Sequence, residues 1–381
     1  MPIPLVNSIA SWFLKKRMHQ IELFIKYPNE VQTDVLFKLM GLAKNTIIGE
    51  KYDFASIKNY QEFTERVPVF SYEQFSDKIE LARRGENNIF WPSKIKWFAK
   101  SSGTTNSRSK YIPVTNESLE DCHYAAGKDL LCMYFNNNPN SQLFTGKSLR
   151  LGGSKTPYEK NGTFYGDLSA ILIDNMPFWA EFSSTPSNKT SLMEDWNYKI
   201  NAIINETKSE NVTSLAGVPS WMLVLLNRIL KETNTNQICE VWPNIEVYFH
   251  GGVSFKPYLN QYKKLIGKDN MRYYEIYNAS EGFFAIQYEN NSDELLLMLD
   301  YGIFYEFIDM DKYETNEERV ISLADVKLDT NYAILITTNA GLWRYKIGDT
   351  VKFTCLSPFK IIVSGRTKHY INVFGEEVII E

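Results

Sequence analysis

Cysteine is scarce in this chain, with only Cys122, Cys132, Cys239 and Cys355 among 381 residues. None stands in C-x-x-C spacing or near a histidine cluster, so neither a zinc site nor a disulfide framework is indicated. Reduced thiols are expected, and with them a cytoplasmic protein. Long apolar runs are missing as well, since nothing approaches the roughly 20 uninterrupted apolar residues that cross a bilayer. The opening MPIPLVNSIASWFLKKRMHQIELF has no basic residue before its apolar run, while Lys15, Lys16 and Arg17 follow it, the reverse of a secretory signal. An amphipathic helix packed on the main body is preferred there over a membrane-surface helix. Neither sign of charge dominates: 41 basic and 45 acidic residues leave a net charge of -4, which offers no footprint for nucleic acid or an anionic membrane. No partner of either kind is expected, and a monomer is. Solenoid repeats, low-complexity tracts and the G-x-x-x-x-G-K-[ST] phosphate loop are all absent.

What is present is a chain 44% apolar, able to bury a large core in one continuous domain. Ser71 with Gln74 predicts a capping box before a helix reaching Arg84, and Thr115 caps another running toward Phe135. Pro219 suits the first turn of a helix through SWMLVLLNRIL. The β-branched and aromatic runs at 245–250, 273–277, 332–338 and 359–363 read as strands. Strands alternating with helices predict an α/β fold. The NNNPN run at 136–140 and residues 290–293 read as surface turns.

Three strands run into small-residue loops, where ligands collect in open α/β sheets. The segment AKSSGTTNSRSKYIPVT, 99–115, sets Ser101, Ser102, Gly103, Thr104 and Thr105 ahead of Lys110. It offers glycine-freed N–H groups, hydroxyls and an ammonium, the donors phosphate oxygens want. Residues 93–111 hold five basic side chains and no acid. A solvated Ser/Thr turn is the alternative. YEIYNASEGFFA, 274–285, puts Glu281 after an aromatic strand, where an exposed carboxylate can hold Mg²⁺ against phosphates and Tyr277 can lie against a purine. A helix-start glutamate and a core tyrosine fit the same residues. In GLWRYKIGDTVKF, 341–353, Asp349 follows glycine in a turn between two strands and can accept both ribose hydroxyls, although most such turns are structural. Arg366 follows glycine in SGRTKHYINVFGEEVIIE, 364–381.

These four motifs, in this order and at these separations, resemble the auxin-responsive acyl-acid amido synthetases. That family is a branch of the adenylate-forming superfamily, which includes acyl-CoA synthetases. The resemblance extends over essentially the whole chain and takes in VPSWMLVLL (218–226) and GDLSAI (166–171). It implies an α/β fold with mixed sheets flanked by helices, a large ATP- and acyl-binding domain over 1–366, and 367–381 as a hinge opening a small C-terminal domain. The chain stops before that domain is complete, so nucleotide binding with slow turnover is expected of it alone.

By resemblance, Ser101 to Thr105 with Lys110 form the phosphate loop, and Thr104, Lys110 and Glu281 are catalytic, Glu281 on the Mg²⁺ side. Gly251 and Gly252 in HGGVSF line the adenine and acyl site, Tyr277 lies beside adenine, and Asp349 binds ribose with Arg366 nearby. The loop departs from many relatives in reading Asn106-Ser107-Arg108 where they carry a further glycine. The implied reaction is attack of a carboxylate on ATP to give an acyl-adenylate, then transfer of the acyl group to an amine. Rival readings are an acyl-CoA ligase and a nucleotide-binding module without turnover. Candidates for the acid's pocket are Tyr165, Phe178, Trp179, Trp221 and Met222, which plain core packing also explains. Of the four histidines, only His250 is expected to touch substrate, with a buried core position as the alternative.

Overall fold

The structure, a computed structural model, describes residues 16–101, 109–153, 155–160, 162–367, 370–373 and 376–379. The strands are β1 (Trp97–Ser101), β2 (Lys110–Val114), β3 (Lys147–Leu151), β4 (Tyr158–Lys160), β5 (Thr163–Gly166) and β6 (Ser184–Thr185). They continue as β7 (Val212–Gly217), β8 (Val247–Gly251), β9 (Arg272–Ala279), β10 (Gly282–Gln287), β11 (Leu295–Leu297) and β12 (Ile303–Asp309). Last come β13 (Val320–Ser322), β14 (Asn331–Thr338), β15 (Tyr345–Leu356), β16 (Phe359–Arg366), β17 (Tyr370–Val373) and β18 (Glu376–Ile379).

Twelve of these form one sheet in the order β13-β12-β14-β15-β16-β11-β10-β9-β8-β7-β3-β6. From β6 to β9 every pairing is parallel, and from β9 onward every pairing is antiparallel. The change falls at the β9–β10 hairpin, where Ala279 pairs with Gly282 and the turn consists of Ser280 and Glu281. A smaller sheet runs β2-β1-β5-β4, with β1 and β2 closed as an antiparallel hairpin on which Ser101 faces Lys110.

The parallel strands need cover on both faces. One face is sealed by helices Trp196–Thr207, Pro219–Thr233 and Leu259–Ile266, whose Ile200, Met222, Leu225, Leu226 and Ile229 pack with Leu149, Leu215 and Tyr248. The larger core joins the antiparallel strands to the N-terminal helices, including Leu36, Phe63 and Phe75. Local signals set these helices as expected: Ser71 and Gln74 form the capping box of Tyr72–Arg83, and Pro219 opens its helix. The Thr115 hydroxyl accepts from the Ser118 N–H at 2.9 Å. The segment Thr115 starts is irregular, since Ser118–Tyr124 winds as a π-helix before Ala125–Asn137 resumes α geometry. The expected surface turn at 136–140 is half wrong, because Asn138 is buried and exchanges amide hydrogen bonds with Asn290 at 3.1 Å.

Asp349 is not in a turn between strands. It lies inside β15, opposite Arg366 of β16. The sequence looks like a turn because Gly348 has φ of +92°, a conformation open to glycine that the strand absorbs without ending.

Candidate active site

Where β15, β16 and the β9–β10 hairpin meet, five polar side chains converge. Asp349 accepts a 2.7 Å hydrogen bond from the Tyr277 hydroxyl and pairs with the Arg366 Nε at 3.0 Å. Glu281 is half-buried at the tip of the hairpin. Burial first, and repulsion from Asp349 second, push its carboxyl up to about 7, while Lys110 and Arg366 pull the other way. Lys110, at the start of β2, holds its ammonium 5.4 Å from the Tyr72 ring centre. Four separate sequence motifs thus come within electrostatic reach of one another. Ser102, Gly103, Thr104 and Thr105 lie outside the described residues.

The Tyr277 ring packs in the core, 4.9 Å from Phe284, as the alternative reading had it, and its hydroxyl donates to Asp349. Glu281 is not the exposed carboxylate expected, and its raised value has a measurable consequence. The folded state holds this proton more tightly than the unfolded chain, so the stability it contributes is complete below the ordinary value of 4.5 and is lost as pH rises through about 7. Glu281→Gln should therefore gain stability relative to the parent as pH goes from 5 to 8. Urea melts of both proteins across that range check this, and a constant difference would contradict it.

Beside this cluster lies a cavity of about 930 Å³ whose wall includes Lys100, Ser101, Ala279 and Ser280. Alternate residues of four parallel strands form its floor: Ser148 and Arg150, Ser214 and Ala216, Phe249 and Gly251, Ile276 and Asn278. Side chains on a strand alternate between faces, so the residues between these point into the core below. Glycine is required at 251, because a Cβ there would sit 2.6 Å from the Ile276 carbonyl oxygen. The lining also takes in His123, Tyr124 and Leu131 from the π-helix and its continuation, with Leu168, Leu172 and Trp221.

The pocket expectations divide on the same geometry. Gly251, Gly252 and Trp221 line the cavity. His250 does not: one residue out of phase with Phe249 and Gly251, it is 2% exposed and stacks on Phe255 at 3.9 Å, with burial pushing it down to about 3. Among the described residues the histidine at the cavity is His123, held near 4 by burial and so neutral at pH 7. Met222 is fully buried in the core beneath the sheet, and Tyr165 stacks between Phe98 and Tyr158. Phe178 is 81% exposed on the short helix Phe178–Phe182 and is not part of the cavity lining. The Trp179 side chain lies outside what is described. Replacing Phe178 with serine should change stability by less than about 0.5 kcal/mol, a value thermal melts can check. Sequence reasoning missed Arg150 and Lys199, which both line the cavity. The one available signal was the small Ser148, Ser214 and Ala216 at alternate positions of β3 and β7, which leave room above that face of the sheet.

Apolar walls thus lead to a cluster of carboxylates and cations at the point where the sheet changes from parallel to antiparallel pairing. The fold matches a solved GH3.15 acyl acid amido synthetase in complex with 2,4-DB, with a TM-score of 0.79 at 17% identity, over 94% of this chain and 71% of that one. It also matches 2-hydroxyisobutyryl-CoA ligase, with a TM-score of 0.61 at 13% identity, over 93% of this chain and 71% of that one. At such identities the likeness establishes the fold alone.

The chain belongs to the GH3 family: the GH3 family N-terminal domain matches residues 17–271 and the GH3 family central domain residues 296–366. Among its relatives is the indole-3-acetic acid-amido synthetase GH3.2 of Arabidopsis thaliana, 22% identical over 92% of this chain and 76% of that protein. The jasmonoyl--L-amino acid synthetase JAR6 of Nicotiana attenuata is 22% identical over 91% of this chain and 70% of its own length. The 4-substituted benzoates-glutamate ligase GH3.12 of Arabidopsis thaliana is 24% identical over 77% and 60%. No helix among the described residues is long and apolar enough to cross a membrane.

Proposed function

We propose that the protein is an ATP-dependent acyl acid amido synthetase that joins a carboxylic acid to an amino acid and releases AMP and pyrophosphate. The observation that carries this is the convergence of Lys110, Glu281, Asp349 and Arg366 beside a largely apolar cavity. In this reading the acid fills the cavity with its carboxylate toward Ser101 and Ser280. A carboxylate oxygen attacks the α-phosphorus of ATP and pyrophosphate leaves; an amine nitrogen then attacks the acyl carbon and AMP leaves. Asp349 accepts from the ribose hydroxyls, fixed in place by Tyr277 and Arg366. Lys110 and the hydroxyl-rich loop with Thr104 neutralise and orient phosphate oxygens, work that is mostly positioning and electrostatics.

The described residues hold no group of three or more His, Cys, Asp or Glu able to cage a metal. That suits Mg²⁺, which commonly uses one or two carboxylates together with substrate oxygens, and Glu281 is the carboxylate placed to serve. Bound there, Mg²⁺ would neutralise phosphate charge. The four cysteines are free, which suits a reducing, cytoplasmic setting, and we take the working unit to be a monomer.

An amine acceptor, in place of a thiol, is favoured by the family relationship. Incubation with ATP, a panel of carboxylic acids and a mixture of amino acids and coenzyme A should yield amides by mass spectrometry. Thioesters as the main products would overturn the choice of acceptor.

A further inference from the structure

Arg150 is a cation without an anion. It projects from β3 onto the cavity floor. Its Nε is buried with no hydrogen-bond partner. One Nη donates to the Met176 thioether at 2.7 Å and the other to the Asn188 amide oxygen at 3.4 Å. A thioether is a weak acceptor, and neither partner carries charge. Among the described residues no carboxylate pairs with this guanidinium; the nearest acidic influence is the exposed Glu181. Burial without a counter-ion pushes the group down to about 10, which still leaves it charged at neutral pH. A desolvated, unpaired guanidinium is costly to a folded protein, and its planar fork is shaped for a carboxylate.

Its place in the sheet says which carboxylate. Arg150 pairs in register with Ala216, Ala216 with Phe249, and Phe249 with Tyr274. Three strand spacings therefore separate it from β9, roughly 14 Å across the sheet. The hairpin that carries Ser280 and Glu281 continues from β9. The reacting carboxylate belongs at that hairpin, so Arg150 stands at the opposite side of the cavity, with apolar Phe249 and Ile276 between.

We propose that Arg150 binds a second carboxylate, at the far end of the acyl acid, so that the acids this protein selects are dicarboxylic. The proposal rests on the reading of the cavity as an acyl-acid site. The same chemistry could come from the α-carboxylate of the amino acid acceptor, and the experiment separates the two sources.

Isothermal titration of the full chain would use adipate, suberate and terephthalate, each against the monocarboxylate of matching skeleton: hexanoate, octanoate and 4-methylbenzoate. At least one dicarboxylate should bind about tenfold or more tightly than its partner. In Arg150→Met that ratio should fall to near one, and Arg150→Gln, which keeps a polar group at the site, should show the same collapse should the methionine variant fold poorly. The proposal is overturned by a parent that prefers no dicarboxylate, or by a preference that survives both variants. It is overturned equally if Arg150→Met leaves acid binding untouched and raises KM for the amino acid. Pyrophosphate exchange with the same acids keeps the two readings apart. An Arg150-dependent dicarboxylate preference without any exchange removes the adenylation reading alone, and exchange without that preference removes the subsite alone.

Discussion

Asp349→Ala should weaken ATP and AMP to a similar extent, by about 1.5–3 kcal/mol or roughly 10- to 150-fold, without a marked change in the affinity for pyrophosphate. The carboxylate is held from two sides, by the Tyr277 hydroxyl at 2.7 Å and the Arg366 Nε at 3.0 Å, within paired strands. Its orientation is settled before a nucleotide arrives, so little ordering entropy is spent when ribose hydroxyls donate to it. Removing it also strands two donors, so Asp349→Asn is the needed companion: it keeps the shape and loses the charge. Calorimetry with ATP, AMP and pyrophosphate measures the effect. In the parent, equal affinity for adenosine and 2′,3′-dideoxyadenosine would contradict the ribose role.

Glu281→Gln is expected to lower ATP–pyrophosphate exchange by about 10²–10³-fold, the scale seen when one electrostatic element of a preorganised site is removed. The effect should be confined to turnover and to the Mg²⁺-dependent part of ATP binding. A glutamine fills the same space and ends the repulsion with Asp349, so the ligand-free fold should be no less stable above pH 7. Mg²⁺ titrations of ATP binding in parent and variant are decisive: identical Mg²⁺ dependence would remove Glu281 from the metal role.

The contrast between these two residues shows what the sequence discloses. The convergence of Asp349, Glu281, Lys110 and Arg366 was legible because each stands in a short motif with a chemical reason for its neighbours. Their settings were not. Gly348-Asp349 looks like a turn by composition, yet strand pairing with β14 and β16 overrides the local glycine signal. Glu281 looks like an exposed loop residue, yet the folded hairpin holds it half-buried.

The cavity lining was harder still. A strand displays alternation but does not reveal which phase faces a cavity, so the sequence leaves His250 open between pocket wall and core; it lies in the core, and His123 of the π-helix lines the cavity. Met222 belongs with Leu225, Leu226 and Ile229 on one stripe of its helix, a spacing that marks core and could have been used to exclude it. Arg150 had no local signal of its own in KSLRL, because what distinguishes it is the absence of a counter-ion, a property of the whole fold.

The measurement that bears most directly on the function is ATP–pyrophosphate exchange by the full chain across a panel of carboxylic acids, with Mg²⁺ present or chelated. Adenylation predicts exchange that depends on the acid, requires Mg²⁺ and falls sharply in Glu281→Gln. Tight ATP binding by calorimetry with no exchange for any acid would contradict it and leave a nucleotide-binding module without turnover.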